Sequence, residues 1–128
     1  MNNLIIDAAR DKIILTFIVG KNIYTCSHEN SKINFEKLML LISDFLKSNK
    51  SSLDHIDAIY VNRGPGSFAG IRNSLSTIKA LFLTKNIDYY CFSFADFKDF
   101  SVIEYVDVPK LCEKYKVKKN LINPIYLS

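Results

Sequence analysis

The sequence predicts an α/β fold: a mixed five-stranded sheet, made of a three-strand antiparallel meander and two parallel strands, with flanking helices. Three observations predict it. Short β-branched and alternating apolar runs fill the first 27 positions. Apolar residues between Phe35 and Leu46 recur at steps of three and four. The stretch from Ala58 to Phe92 reads strand, glycine turn, helix, strand.

Taken in order, Leu4–Ile6 and Ile13–Val19 are apolar runs separated by the polar Asp7-Ala8-Ala9-Arg10-Asp11-Lys12, which reads as a hairpin. Gly20-Lys21-Asn22 supplies turn chemistry before Ile23–Ser27, the third strand. From Ser31 to Ser48 the period changes to that of one helix, with Asn34 as N-cap and an apolar stripe through Phe35, Leu38, Leu41, Ile42, Phe45 and Leu46. Met39 and Leu40 widen that surface, and at 100° per residue Leu40 points well away from the stripe. Ala58–Val61 is a buried strand, and Gly64-Pro65-Gly66 turns it into a second helix from about Ser67 to Thr84. Tyr89–Phe92 is the fifth strand, reached by a right-handed crossover that makes it parallel to the fourth. Beyond Ser93 the pattern weakens: Phe94, Phe97, Phe100, Val102 and Ile103 are apolar, a short helix starts at Pro109, and Pro124-Ile125-Tyr126-Leu127 is an extended tail.

A chain of 128 residues fits one domain that buries roughly two-thirds of its unfolded surface. Hydrophobic residues make up 48% and charged ones 23%, the balance of a folded globular chain and not of a disordered one. No apolar run approaches the roughly 20 residues of a membrane span, and no signal peptide precedes Asp7, so a cytoplasmic location without membrane contact is expected. Cys26, Cys91 and Cys112 are odd in number and widely spaced, which fits reduced thiols. The net charge of +4 is spread along the chain except for Lys110, Lys114, Lys116, Lys118 and Lys119, read as a solvated helix end, so that any RNA contact is indirect or weak.

The motif that carries most information is Gly64-Pro65-Gly66-Ser67-Phe68-Ala69-Gly70-Ile71-Arg72. Ser67 caps the following helix, and amides there could face an anion, with Asp7 as a carboxylate for a bound cation; this gives a weak nucleotide reading at Asp7, Gly66 and Ser67. The Gly-Lys-Ser/Thr ending of a phosphate loop is missing, however, and Gly70 serves equally as a point of close helix–sheet packing. The second helix bears one stripe of Phe68, Ile71, Leu75, Ile78 and Phe82 and another, mostly small, of Gly70, Ser74, Thr77 and Leu81. The small stripe packs on the chain's own first helix or on a partner subunit. On the latter reading the partner face comprises Leu38, Met39, Leu40, Ile42, Gly70, Asn73, Ser74, Thr77 and Leu81.

Catalytic readings fail on residue type. His28 and His55 lack co-ligands at metal spacing, and Ser67 lacks the outer glycines of a nucleophile elbow, so no catalytic residue, metal or cofactor is expected.

With these residues in view, the chain resembles the TsaB family, also called YeaZ or Gcp-like, whose pattern is Gly-Pro-Gly-Ser-Phe-Thr-Gly-Val/Ile-Arg and whose fold is an abbreviated actin/Hsp70-like (ribonuclease H-like, ASKHA) one. Ile6-Asp7 at the end of the first strand and the terminal Pro124-Ile125-Tyr126-Leu127 match as well. The resemblance implies a non-catalytic scaffold or activator subunit. It would pair with a TsaD-like catalytic subunit, and through it a TsaE-like ATPase, in threonylcarbamoylation of the adenosine beside the anticodon of tRNAs reading A-starting codons. Homodimers of the family use a similar face. The alternatives are a small ASKHA-type nucleotide-binding phosphotransferase and a self-associating homodimer outside tRNA modification. Three departures stand out: Ala8-Ala9 replaces the family's Thr-Ser, Ala69 replaces its Thr, and residues 98–128 stand as a remnant of the family's second domain after an N-terminal domain at residues 1–97.

Overall fold

The computed structural model describes residues 1–98 and 103–126; Phe100, Val102 and Leu127 lie outside them. The five strands are β1 (Asn2–Asp7), β2 (Lys12–Val19), β3 (Asn22–Glu29), β4 (Ala58–Asn62) and β5 (Asp88–Phe92). They form one sheet in the order β3-β2-β1-β4-β5. β1, β2 and β3 make the antiparallel meander, with Leu4 opposite Phe17 and Leu15 opposite Cys26. β4 lies parallel to β1, and β5 parallel to β4. This is the mixed five-stranded arrangement that the hydrophobic periodicities predict.

Side chains alternate across the sheet, so each strand feeds two cores. On one face Leu4, Ile6, Leu15, Phe17, Ile59, Val61 and Tyr89 pack beneath the helices α1 (Lys32–Glu36), α2 (Leu38–Ser48) and α3 (Phe68–Lys85). On the other face Ile5, Ile18, Ala58, Tyr60 and Phe92 are covered by Phe97 and by Val108, Leu111 and Cys112 of α4 (Val108–Lys114). The short helix expected at Pro109 thus closes the second face, with Pro109 in its first turn, where a missing N–H costs nothing. Among the described residues no helix is long and apolar enough to cross a membrane.

The first helix differs from its prediction. It is broken at Lys37 (φ −109°, ψ 25°) into α1 and α2, and its N-cap is Ser31, whose Oγ accepts from the Asn34 N–H at 3.3 Å. Asn34 sits inside α1, and its side-chain amide donates to the Glu29 carbonyl at 2.8 Å, tying the helix to the end of β3. Ser31 wins the cap because its backbone is extended, as an N-cap must be. The C-terminus of α3 stops at Asn86, which takes a left-handed conformation (φ 56°) and returns its N–H to the Phe82 carbonyl.

The small stripe on α3 faces the chain's own helices. Ser74 is fully buried, its hydroxyl donating to the Ile71 carbonyl at 3.0 Å. An arginine there has no room and no counter-charge. Ser74→Arg should abolish the cooperative thermal transition followed by circular dichroism, whereas Ser76→Arg on the exposed side of the same helix should leave the midpoint nearly unchanged.

Candidate functional site

Three backbone segments converge at the carboxyl ends of β1 and β4: the β1–β2 loop (residues 7–11), the turn from Asn62 into α3, and the C-terminal segment from Asn123 to Tyr126. At their centre lies Asp7, 1% exposed. Its Oδ1 accepts from the Ala9 N–H and from the Asn62 side-chain amide, each at 3.1 Å. Its Oδ2 accepts the Tyr105 hydroxyl at 2.6 Å and faces the Arg10 guanidinium at 3.8 Å. Asn62, itself buried, turns its other amide atom to the turn: Oδ1 accepts from the Gly64 N–H at 2.9 Å. One carboxylate and one amide therefore hold the ends of both parallel strands together, and Tyr105 reaches them from the second face.

The glycines of the motif are spacing devices. A Cβ on Gly70 would collide with the Ala8 carbonyl oxygen, and one on Gly66 with that of Ala9. Phe35 of α1 also lies 3.4 Å from where the Gly70 Cβ would stand. Gly64 adopts a positive φ of 107° and lets the Ile125 carbonyl pass against its Cα. The C-terminal segment is strapped there: the Ile125 N–H donates to the Arg63 carbonyl at 2.7 Å, Gly66 pairs with Tyr126, and the Tyr126 and Phe68 rings meet at 4.7 Å. Arg63 completes the clasp, donating to Asp96 Oδ1 at 2.7 Å and to the Asn123 carbonyl at 3.2 Å.

Three amides of the turn and helix start are engaged within the chain. Gly64 N–H goes to Asn62, Ser67 N–H to the Ala9 carbonyl at 2.9 Å, and Gly70 N–H to Ser67 Oγ at 3.2 Å, while Pro65 has none. Ser67 caps α3 as its sequence position predicts. Of the residues in the nucleotide reading, Asp7 is enclosed by Ala9, Asn62, Tyr105 and Arg10, Gly66 is pressed on Ala9, and the Ser67 Oγ holds the helix start. The hydroxyl-free Ala8 and Ala9 are themselves buried, where an unpartnered hydroxyl would be costly.

Five residues of the expected partner face lie inside the chain. Leu38, Ile42, Gly70, Ser74 and Leu81 are buried among α1, α2, α3 and the sheet, because the small residues on α3 admit the chain's own helices. Asn73 and Thr77 are half-buried and bond their own helix, Asn73 to the Ala69 carbonyl and Thr77 to the Asn73 carbonyl. Met39 and Leu40 are exposed, and Ile33, which periodicity did not single out, is exposed beside them in the chain. Phe68 is half-exposed, with Arg72 over its ring. Sequence reasoning also missed Asn62 and Tyr105, and gave Arg63 no role. A polar residue ending a buried strand was the available signal for Asn62; Tyr105, 98 positions from Asp7, offered none.

Burial controls the titration of this region. Burial, then the hydrogen bond and charge of Asp7, push the Tyr105 phenol far above its ordinary value. Burial pushes Cys91 and Cys112 from 9.0 to about 12, a backbone hydrogen bond from Asn123 opposing it at Cys91. Tyr60 rises from 10.0 to about 12 through burial and its neighbour Tyr90. All four hold their protons more tightly folded than unfolded, so their stabilisation is intact below about pH 9 and is lost as pH climbs toward 12. Denaturant midpoints should be flat through neutral pH and fall steeply above about pH 9, and Tyr105→Phe should lower them at neutral pH by removing a charge-assisted bond of about 1.5–3 kcal/mol.

Gly70→Ala discriminates sharply. Helix propensity alone would stabilise by about 1 kcal/mol. Collision with a backbone carbonyl that cannot rotate away costs about 1–3 kcal/mol or more. The substitution should therefore lower the urea midpoint, and a rise would contradict the packing described.

Comparison with known proteins places this geometry. The chain is 33% identical over 89 residues to the tRNA threonylcarbamoyladenosine biosynthesis protein TsaB of Buchnera aphidicola subsp. Baizongia pistaciae, covering 61% of this chain and 40% of that one. It is 28% identical over 119 residues to the TsaB protein of Buchnera aphidicola subsp. Schizaphis graminum, covering 93% and 52%. The chain thus spans about half the length of these relatives, or less. In structure it matches YeaZ from Pseudomonas aeruginosa with a TM-score of 0.66 at 20% identity, over 72% of this chain and 43% of that one, a likeness of fold. The family model for TsaD, tRNA N6-adenosine threonylcarbamoyltransferase, matches residues 28–93. That match takes in just over half of the 128 residues and spans β4, the glycine turn, α3 and β5, so the chain belongs to this family, as a TsaB-like (YeaZ-like) member.

Proposed function

We propose that the chain acts in tRNA threonylcarbamoyladenosine biosynthesis as a non-catalytic scaffold. It pairs with a TsaD-like catalytic subunit, and through that subunit with a TsaE-like ATPase. The names of the relatives support the pathway. The observation that supports the non-catalytic role is that Asp7, Asn62, Ser67 and the amides of Ala9, Gly64 and Gly70 bond one another as a structural clasp. The contact surface is the outer side of α1 and α2, where Ile33, Met39 and Leu40 are exposed while their neighbours Leu38, Leu41 and Ile42 complete the core. Asn73 and Thr77 of α3 border it. Self-association through the same residues is the competing use of the surface.

Two measurements test the proposal. Tagged chain should recover the TsaD-like protein of the same organism. Leu40→Asp, which places a charge on an exposed position, should reduce recovery at least about tenfold without moving the melting temperature. Depletion of the protein should lower the threonylcarbamoyladenosine signal in mass spectrometry of tRNA nucleosides; an unchanged signal rejects the role. A homodimer whose loss leaves that nucleoside unaffected would instead favour self-association.

A further inference from the structure

The C-terminal segment runs along the open edge of β5 but does not seal it. Lys119 bridges antiparallel to Tyr90, and Asn120 exchanges bonds with Tyr89, its N–H to the Tyr89 carbonyl at 2.7 Å and its side-chain oxygen to the Tyr89 N–H at 2.9 Å. The segment then leaves the edge and crosses to the end of β4, where Ile125 bonds Arg63. Between these two anchors a gap of about 520 Å³ opens, within the range of small-molecule sites.

Its lining combines cationic and apolar side chains. Arg63 is held rigidly by Asp96 and the Asn123 carbonyl and is 16% exposed, so its charge is fixed at the wall. Asp96 is already paired with it. Lys98 and Lys118, both exposed, line the gap and have no carboxylate partner among the described residues. Tyr115 and Leu121 supply the apolar side. Cys91 also contributes to the wall, but burial keeps its thiol protonated, so it is no nucleophile at neutral pH.

From this arrangement we infer that the gap binds a small phosphorylated ligand of mononucleotide size, its phosphate between Lys98 and Lys118 and its flat apolar body against Tyr115 and Leu121. Two ammonium groups without a carboxylate partner among the described residues, beside a neutralised guanidinium, favour a dianion over a neutral ligand. An aromatic ring and a leucine favour an organic body over a bare ion. The site is independent of the pairing surface: it lies at the β5 edge, whereas α2 with Met39 and Leu40 packs over β2.

Isothermal titration of the full chain with AMP, adenosine and inorganic phosphate tests it. AMP should bind with a dissociation constant on the order of micromolar to submillimolar, weakening as salt rises, and adenosine and phosphate should each bind at least about tenfold more weakly. Lys98→Glu combined with Lys118→Glu should cut AMP affinity at least about tenfold, and Lys118→Ala alone, the mildest change, should cut it measurably with an unaltered melting curve. Lys110→Glu, an exposed position on α4 outside the gap, should bind AMP as the parent does. No heat with AMP at millimolar concentration, adenosine binding as tightly as AMP, or affinity indifferent to both lysines would overturn the inference.

Discussion

The structure depends on how closely three stretches of backbone approach one another around Asp7. A carboxylate taken out of water costs several kcal/mol unless its lone pairs are filled. Here two nitrogens and one hydroxyl fill them, with a guanidinium at the rim. The partners come from four places in the chain, at positions 9, 10, 62 and 105, so the network closes only when the β1–β2 loop, the end of β4 and the 3₁₀ turn at Tyr105–Asp107 are all in register. Loss of Asn62 or Tyr105 leaves a buried oxygen of Asp7 one hydrogen bond short, which is where the asymmetry of hydrogen-bond energetics is largest.

The motif follows from that convergence. Carbonyls of Ala8 and Ala9 point at α3 and its turn, so the facing positions must be glycine, and the residues offering the carbonyls must be small enough to lie beneath the helix. The same turn binds the C-terminal segment, whose Ile125 and Tyr126 continue the backbone pairing from β4 outward. A string of glycines that looks like a phosphate cradle thus serves three close contacts within the chain. The amides of Gly64, Ser67 and Gly70 are taken by Asn62, Ala9 and Ser67.

Much of the fold was legible because it rests on period. Alternation in β2, the three-and-four spacing around Leu38 and Phe45, and the strand–turn–helix order at Gly64 each express a local backbone geometry. Less was legible where contacts are long-range. Nothing near Tyr105 announces Asp7, and nothing near Lys119 announces the edge of β5, since both depend on where the chain returns. Periodicity also cannot say which neighbour a small stripe admits. Gly70, Ser74 and Leu81 could have met a second protein or the chain's own α1 and α2, and only the crossover that sets both helices on one face decides for the latter. The break at Lys37 escaped for a related reason: the apolar stripe continues through it, so the pattern is blind to the changed backbone angles.

That outcome changes what kind of association the chain can make. Both faces of the sheet are covered, one by α1 to α3 and the other by α4 and the residues before it, so the core is complete without a partner. A stable interface buries roughly 800 Å² on each side. Ile33, Met39 and Leu40 together supply only a few hundred Å² of that, the scale of an ordinary exposed apolar patch. On the proposed pairing the rest would come from polar neighbours such as Glu36 of α1, Lys37 at the break and Asp44 of α2, all exposed. An interface with a small apolar centre and a charged rim belongs to proteins that fold first and associate afterwards, and its strength rests on a few anchors. On the proposed pairing Leu40 is the anchor this geometry selects, because it is apolar and more exposed than its neighbour Met39, while Leu38, Leu41 and Ile42 are committed to the core.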